Sequence, residues 1–155
     1  INPEGYQWFK LLERTEKELK NGLQECGPHL NSFIDHILEK HQLEIKDLLI
    51  VGFSQGTIIS LHHLIRRKIS CAGIIGFSGL YFEEKKLNVS VNFPILLYHG
   101  KDDQVIECES SQKAEKLLSE KGFNVECHLQ ENLGHGIDIN GLNIAKKFIK
   151  KIFKV

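Results

Sequence analysis

Apolar residues recur at helical spacing in the first third of this chain and then gather into short unbroken runs separated by polar, helix-patterned stretches. Over 15–41, Leu30, Phe33, Ile34, Ile37 and Leu38 fall on one stripe of a predicted helix, expected to be core facing a sheet. Gly27-Pro28 predicts a break or kink within it, because proline lacks the N–H that a helix interior needs. Leu48-Leu49-Ile50-Val51 is too short and too uniformly apolar for a surface helix and reads as a buried parallel strand. Ile58, Leu61, His62 and Ile65 then return to helical spacing as far as Arg67. The runs at 71–77 and 93–98 predict two more buried strands, Pro94 being tolerated at the start of the second. A helix over 110–121 carries Ala114, Leu117 and Leu118 on one side and ends at Gly122. The alternating segment 123–129 reads as a further strand. A last helix from about 137 buries Ala145, Phe148, Ile149 and Ile152. Strands alternating with helices predict an α/β fold with a mostly parallel sheet flanked by helices.

Length and charge narrow this picture. A chain of 155 residues supports one domain with a real core, so 1–155 is expected to be a single unit. Twenty basic and twenty acidic residues cancel, which suggests no nucleic-acid or strongly acidic partner. Cys26, Cys71, Cys108 and Cys127 are scattered with no C-x-x-C pair, as expected for free thiols in a reducing, cytoplasmic setting with neither disulfides nor a metal site. No run is long enough to cross a bilayer.

The chemistry concentrates where strands end. Gly52-Phe53-Ser54-Gln55-Gly56 follows the first strand and opens the next helix, so Ser54 sits on an abrupt strand-to-helix turn. The flanking glycines are expected because larger side chains would meet the neighbouring strand and helix. The helix N-terminus behind Ser54 favours negative charge, and the backbone N–H of Gln55 is the candidate oxyanion donor. The strand at 93–98 runs into His99-Gly100-Lys101-Asp102-Asp103-Gln104-Val105, and Asn132-Leu133-Gly134-His135-Gly136 follows the strand at 123–129. Ser54, an aspartate and His135 in that order, each at the carboxyl end of a strand, predict acyl transfer through an acyl-enzyme. His135 would act as base and then acid.

These three motifs resemble the phospholipase/carboxylesterase family of α/β-hydrolases, which includes acyl-protein thioesterases and small bacterial carboxylesterases. Trp8-Phe9, Phe77-Ser78-Gly79 and the final helix extend the resemblance through the chain. It implies Asp103, rather than Asp102, as the acid. It also implies no metal or organic cofactor, and substrates that are small-molecule esters or acylated proteins. The family's His-Gly-x-Gly loop, which supplies a second oxyanion donor, has no match before Ser54. With Ile1 at its start and no Met, the chain is therefore expected to be the C-terminal portion of a longer hydrolase lacking its N-terminal strands. The Ser54 strand would then stand as an open edge prone to self-association. A catalytically impaired remnant serving as a binding module is the alternative, along with a peptidase. A dienelactone-type hydrolase would carry cysteine at Ser54.

Other residues have plainer readings. Of His62-His63, one is expected to face solvent, and no second pair at ligand spacing accompanies them. His29, His36 and His41 read as helix-surface residues, and His99 as shaping the acid loop. Lys146, Lys147, Lys150, Lys151 and Lys154 read as a solvated helix face complementing the dipole. Ser78 lacks the elbow pattern of a nucleophile. The connector at 80–92 is too short for a cap domain, and Leu80, Tyr81 and Phe82 are candidates either for an acyl-binding wall or for packing at the sheet edge.

Overall fold

The computed structural model describes residues 6–13, 15–83 and 88–155. The chain divides into two compact units, Ile1–Leu43 and Glu44–Val155. In the first, α1 (Glu16–His41) starts at a capping box: the Thr15 hydroxyl accepts from the Glu18 N–H, and the Glu18 carboxylate reaches back to the Thr15 N–H. The phenyl ring of Phe9 lies directly against Gly22, where a Cβ would come within 2.3 Å of it. The break expected near Gly27-Pro28 does not occur; α1 is one continuous helix with Pro28 inside it. Leu30, Ile34 and Leu38 are buried as expected, but Phe33 is 61% exposed, because the buried stripe continues upward through Cys26 and Leu23 instead.

The second unit holds β1 (Leu49–Phe53), α2 (Gln55–Leu64), β2 (Gly73–Phe77), β3 (Ile95–Gly100), α3 (Glu109–Glu120), β4 (Val125–Gln130) and α4 (Ile139–Phe153). All three strand pairings are parallel, in the order β1-β2-β3-β4. This is the predicted parallel α/β arrangement, with strand ends displaced by one or two residues from the periodicity reading. The helix after β1 stops at Leu64, short of Arg67, because the N–H groups of Arg66 and Arg67 turn to carbonyls three residues back.

Register places the chemistry. Phe53 pairs with Phe77, Phe77 with Tyr98 and Tyr98 with His128, so the carboxyl ends of the four strands lie together, β3 and β4 running two residues further than β1 and β2. The residues that follow, among them Ser54, Ser78 and His99, line one edge of the sheet. One sheet face packs Ile75, Phe77, Leu96 and Tyr98 against Ala145 and Phe148 of α4. Burying Phe148 there contributes about 1.5–3 kcal/mol. On the other face Thr57 of α2 sits against Gly76. With both faces covered, β2 and β3 read as continuous apolar runs rather than alternating ones. β1 is different. Val51 is 56% and Phe53 41% exposed, so the strand read as buried from its apolar run is an edge of this sheet among the described residues, the open edge also expected for it.

Candidate active site

Ser54 occupies a backbone conformation that L-residues rarely adopt, φ 53° and ψ −116°, immediately before the first residue of α2. Holding it there costs on the order of 1–3 kcal/mol, which the surrounding backbone must offset. The Ser54 N–H donates to the Phe77 carbonyl at 2.9 Å, and the Thr57 hydroxyl donates to the same oxygen at 2.8 Å. Both bonds tie the turn to the end of β2. Gly52 is required by close approach: a Cβ there would lie 2.5 Å from the Gly56 carbonyl carbon and from the Thr57 nitrogen. Gly56 is not required in the same way, since a Cβ on it would meet nothing within 4 Å. The expectation that both glycines relieve clashes therefore holds at Gly52 alone, the sharp approach being between the strand end and the start of the helix. The Ser54 side chain takes no part in capping α2. Gln55 is the first residue of that helix, where backbone N–H groups project from the helix end rather than toward a preceding turn.

Asp103 and His135, on the loops that follow β3 and β4, meet each other. His135 Nδ1 lies 2.7 Å from Asp103 Oδ2, with the Asp103 side chain fully buried and that of His135 18% exposed. A carboxylate only accepts, so Nδ1 of the neutral ring carries the proton and Nε2 is left as a base. Oδ1 of Asp103 accepts from the N–H groups of Val105, at 2.8 Å, and Ile106, at 3.0 Å. Burial pushes the Asp103 carboxyl up, but the Ile106 N–H, His135 and the Val105 N–H outweigh it and hold the group below its ordinary value. Asp102, by contrast, is exposed, and its backbone N–H donates to the Leu133 carbonyl at 3.0 Å.

The two loops are joined closely. The Lys101 N–H donates to Gln130, and a Cβ on Gly100 would lie 2.1 Å from the Leu133 oxygen, so only glycine fits there. The Phe53 ring stands 4.9 Å from the His135 ring, bringing the residue before Ser54 against the imidazole. Asp103 and His135 are thus hydrogen-bonded to each other, and Phe53, the residue before Ser54, packs against His135.

Of three further polar residues in this region, the sequence assigns His99 a part in shaping the acid loop and assigns Ser78 and Ser111 none. Ser78, fully buried at φ 47°, donates from its hydroxyl to the Gly136 carbonyl at 3.4 Å and from its N–H to Tyr98 at 2.9 Å, holding the histidine loop to the end of β2. His99, also fully buried, reaches Asp103 and Ser111. Nothing in the sequence marks Ser78 or Ser111, whereas the four-residue interval from His99 to Asp103 is a legible signal. Tyr81 is buried and the Phe82 ring lies 6.2 Å from His62, so this connector packs toward α2; residues 84–87 of it lie outside the described residues.

His62 itself is buried, and desolvation, with Arg66 and His63 nearby, lowers its pKa to about 3. The cysteines are free thiols, three of them buried, and no metal-ligating cluster occurs among the described residues. None of their helices is long and apolar enough to cross a membrane. Lys151 of the basic face pairs with Glu126 at 2.7 Å in solvent.

Residues 1–153 match the family model described as phospholipase/carboxylesterase. The chain is 27% identical over 144 residues to esterase YpfH of Escherichia coli, an alignment covering 93% of this chain and 62% of that protein. It is 25% identical over 156 residues to acyl-protein thioesterase 1 of Debaryomyces hansenii, covering 95% and 67%. Among solved structures, that of esterase PE8 superposes with a TM-score of 0.92 at 34% identity, covering 97% of this chain and 72% of that one. The chain thus spans a little under two thirds of the length of YpfH.

Proposed function

This chain belongs to the phospholipase/carboxylesterase family of α/β-hydrolases, and from that premise we propose that it is the part of a serine hydrolase that carries Ser54, Asp103 and His135 as its catalytic triad. The substrates are carboxylic esters or acyl thioesters, on small molecules or on acylated proteins. The observation that carries this reading is the 2.7 Å bond from His135 Nδ1–H to the buried Asp103 carboxylate, at the same sheet edge as the strained Ser54.

In the reaction His135 Nε2 takes the Ser54 hydroxyl proton while Oγ bonds to the acyl carbon. The carbonyl electrons move to oxygen, and the developing charge is met by the Gln55 N–H at the start of α2. Collapse of this intermediate breaks the bond to the alcohol or thiol, which leaves with the proton from His135. Water then attacks the acyl carbon while His135 takes one of its protons, and collapse of this second intermediate breaks the bond to Oγ, which receives that proton from His135 as the carboxylic acid leaves. Asp103 stays ionised throughout, orienting the ring and stabilising the imidazolium.

Fluorophosphonate labelling of the chain, beside Ser54→Ala, tests this. Labelling that vanishes in Ser54→Ala is the expected result. Absence of labelling both in this chain and in a longer version extended at its N-terminus would replace the esterase reading with that of a binding module.

A further inference from the structure

His99 is fully buried, yet every polar atom of its ring is engaged. Nε2 lies 3.0 Å from Asp103 Oδ2 and 2.9 Å from the Ile106 carbonyl. Both partners are acceptors, so Nε2 must carry a proton. Nδ1 lies 2.7 Å from the Ser111 hydroxyl, which is within 3.4 Å of the Gly79 carbonyl. The Ser111 hydroxyl has one proton, and in the neutral ring it goes to Nδ1 over the 2.7 Å contact rather than to the Gly79 carbonyl at 3.4 Å, which fixes this tautomer. Asp103 Oδ2 thus receives two histidines at once, His99 from inside and His135 from the solvent side, while Oδ1 receives two backbone N–H groups. All four acceptor positions of the carboxylate are filled.

We propose that His99 and Ser111 are positioning residues for the acid: Ser111 holds His99 in its Nε2–H tautomer, and that N–H aims Asp103 Oδ2 at His135 and shares its charge. This rests on the reading of Asp103 and His135 as acid and base. Two consequences follow from the geometry. Without the His99 N–H, Oδ2 loses one of its two restraints, and the His135 ring loses its fixed bearing on Ser54. The electron density that His99 draws from Oδ2 also returns to the bond with His135. Of the other charged groups on these loops, Lys101 pairs with Glu131, Asp138 accepts from the Tyr98 hydroxyl and the Gly141 N–H, and Asp102 and Glu107 are exposed.

The test compares His99→Gln, whose amide nitrogen can reach the Nε2 position, with His99→Asn, whose shorter amide reaches only the Nδ1 position. Ser111→Ala is the third variant. Fluorophosphonate labelling of Ser54 should slow about 10–100-fold in His99→Asn and recover to within about threefold of the parent in His99→Gln. Ser111→Ala should fall between them. Long-range ¹H–¹⁵N spectra of the parent should show His99 protonated at Nε2 and not at Nδ1. The His135 Nδ1–H resonance should move downfield in His99→Asn but not in His99→Gln.

Equal labelling rates for the Asn and Gln variants, or a His99 proton on Nδ1, would overturn the proposal. Should His99→Asn fail to fold, His99→Gln and Ser111→Ala decide by the same resonances. If neither the parent nor the version extended at its N-terminus labels, the hydrolase reading falls, while the His99 tautomer and the His135 resonance still decide whether the relay exists.

Discussion

The two halves of the site are held by opposite means. At the end of β1 the backbone does the placing: Ser54 is strained, its N–H is tied to Phe77, and Gly52 lets strand and helix come together. At the ends of β3 and β4 side-chain hydrogen bonds do it, with the Asp103 carboxylate saturated and buried. The strands differ in the same sense, β3 being buried along its whole length and β1 exposed at Val51 and Phe53. A nucleophile must project from its turn, so stiff backbone suits it. An acid must stay ionised and fixed away from water, which calls for donors on every lone pair.

That contrast predicts which changes act through chemistry and which through the fold. Asp103→Asn should leave the fold standing but reduce Ser54 labelling by about 10³–10⁴-fold, since the amide favours the wrong His135 tautomer. Labelling kinetics beside a melting curve check it, and a large loss of melting temperature without loss of labelling would collapse the distinction.

The helix behind the elbow should be the acid-sensitive element. His62 is buried with its pKa lowered to about 3, below its ordinary value, so it stays neutral in the fold while the unfolded chain takes up a proton. Stability should therefore decline as pH falls from roughly 6.5 towards 3, by about 3–5 kcal/mol at most, and level off below that. Denaturant midpoints measured against pH, beside His62→Gln, should show a flatter slope in the variant over that window.

At the elbow, Gly52→Ala should destabilise by about 2–4 kcal/mol and suppress labelling, because its Cβ meets backbone that cannot step aside. Gly56→Ala should be neutral or slightly stabilising, as the position is helical and open. Equal losses in the two would show that the turn is governed by something other than this one approach. A smaller loss than that of Gly52→Ala belongs to Tyr98→Phe, which removes the 2.7 Å bond from the Tyr98 hydroxyl to Asp138 while leaving that residue to cap α4. About 1–2 kcal/mol should be lost in urea, with labelling retained.

Much of this was legible in one dimension because it is local. The Gly52–Gly56 pattern after an apolar run specifies a strand, a sharp turn and a helix within a few residues. Apolar runs at 71–77 and 93–98 revealed strands covered on both faces, since no polar alternation was needed. Pro28 does not break the helix, because a single missing N–H does not stop one whose flanking turns are packed. Phe33 misled because helical spacing alone does not say which way round a wide stripe is buried.

The sequence by itself determined the alternation of strands and helices and the order of the chemistry-bearing residues along the chain. Only the tertiary structure decided that Phe53, Phe77 and Tyr98 lie in register, that β1 is the exposed strand, and that Ser78 and Ser111 stand behind the site. It also decided that one carboxylate oxygen is shared by His135 and His99. The physical reason is one of range. Periodicity and turn chemistry act over a few residues, whereas a lone pair is filled by whichever donor the packed sheet brings to it, however distant that donor is along the chain.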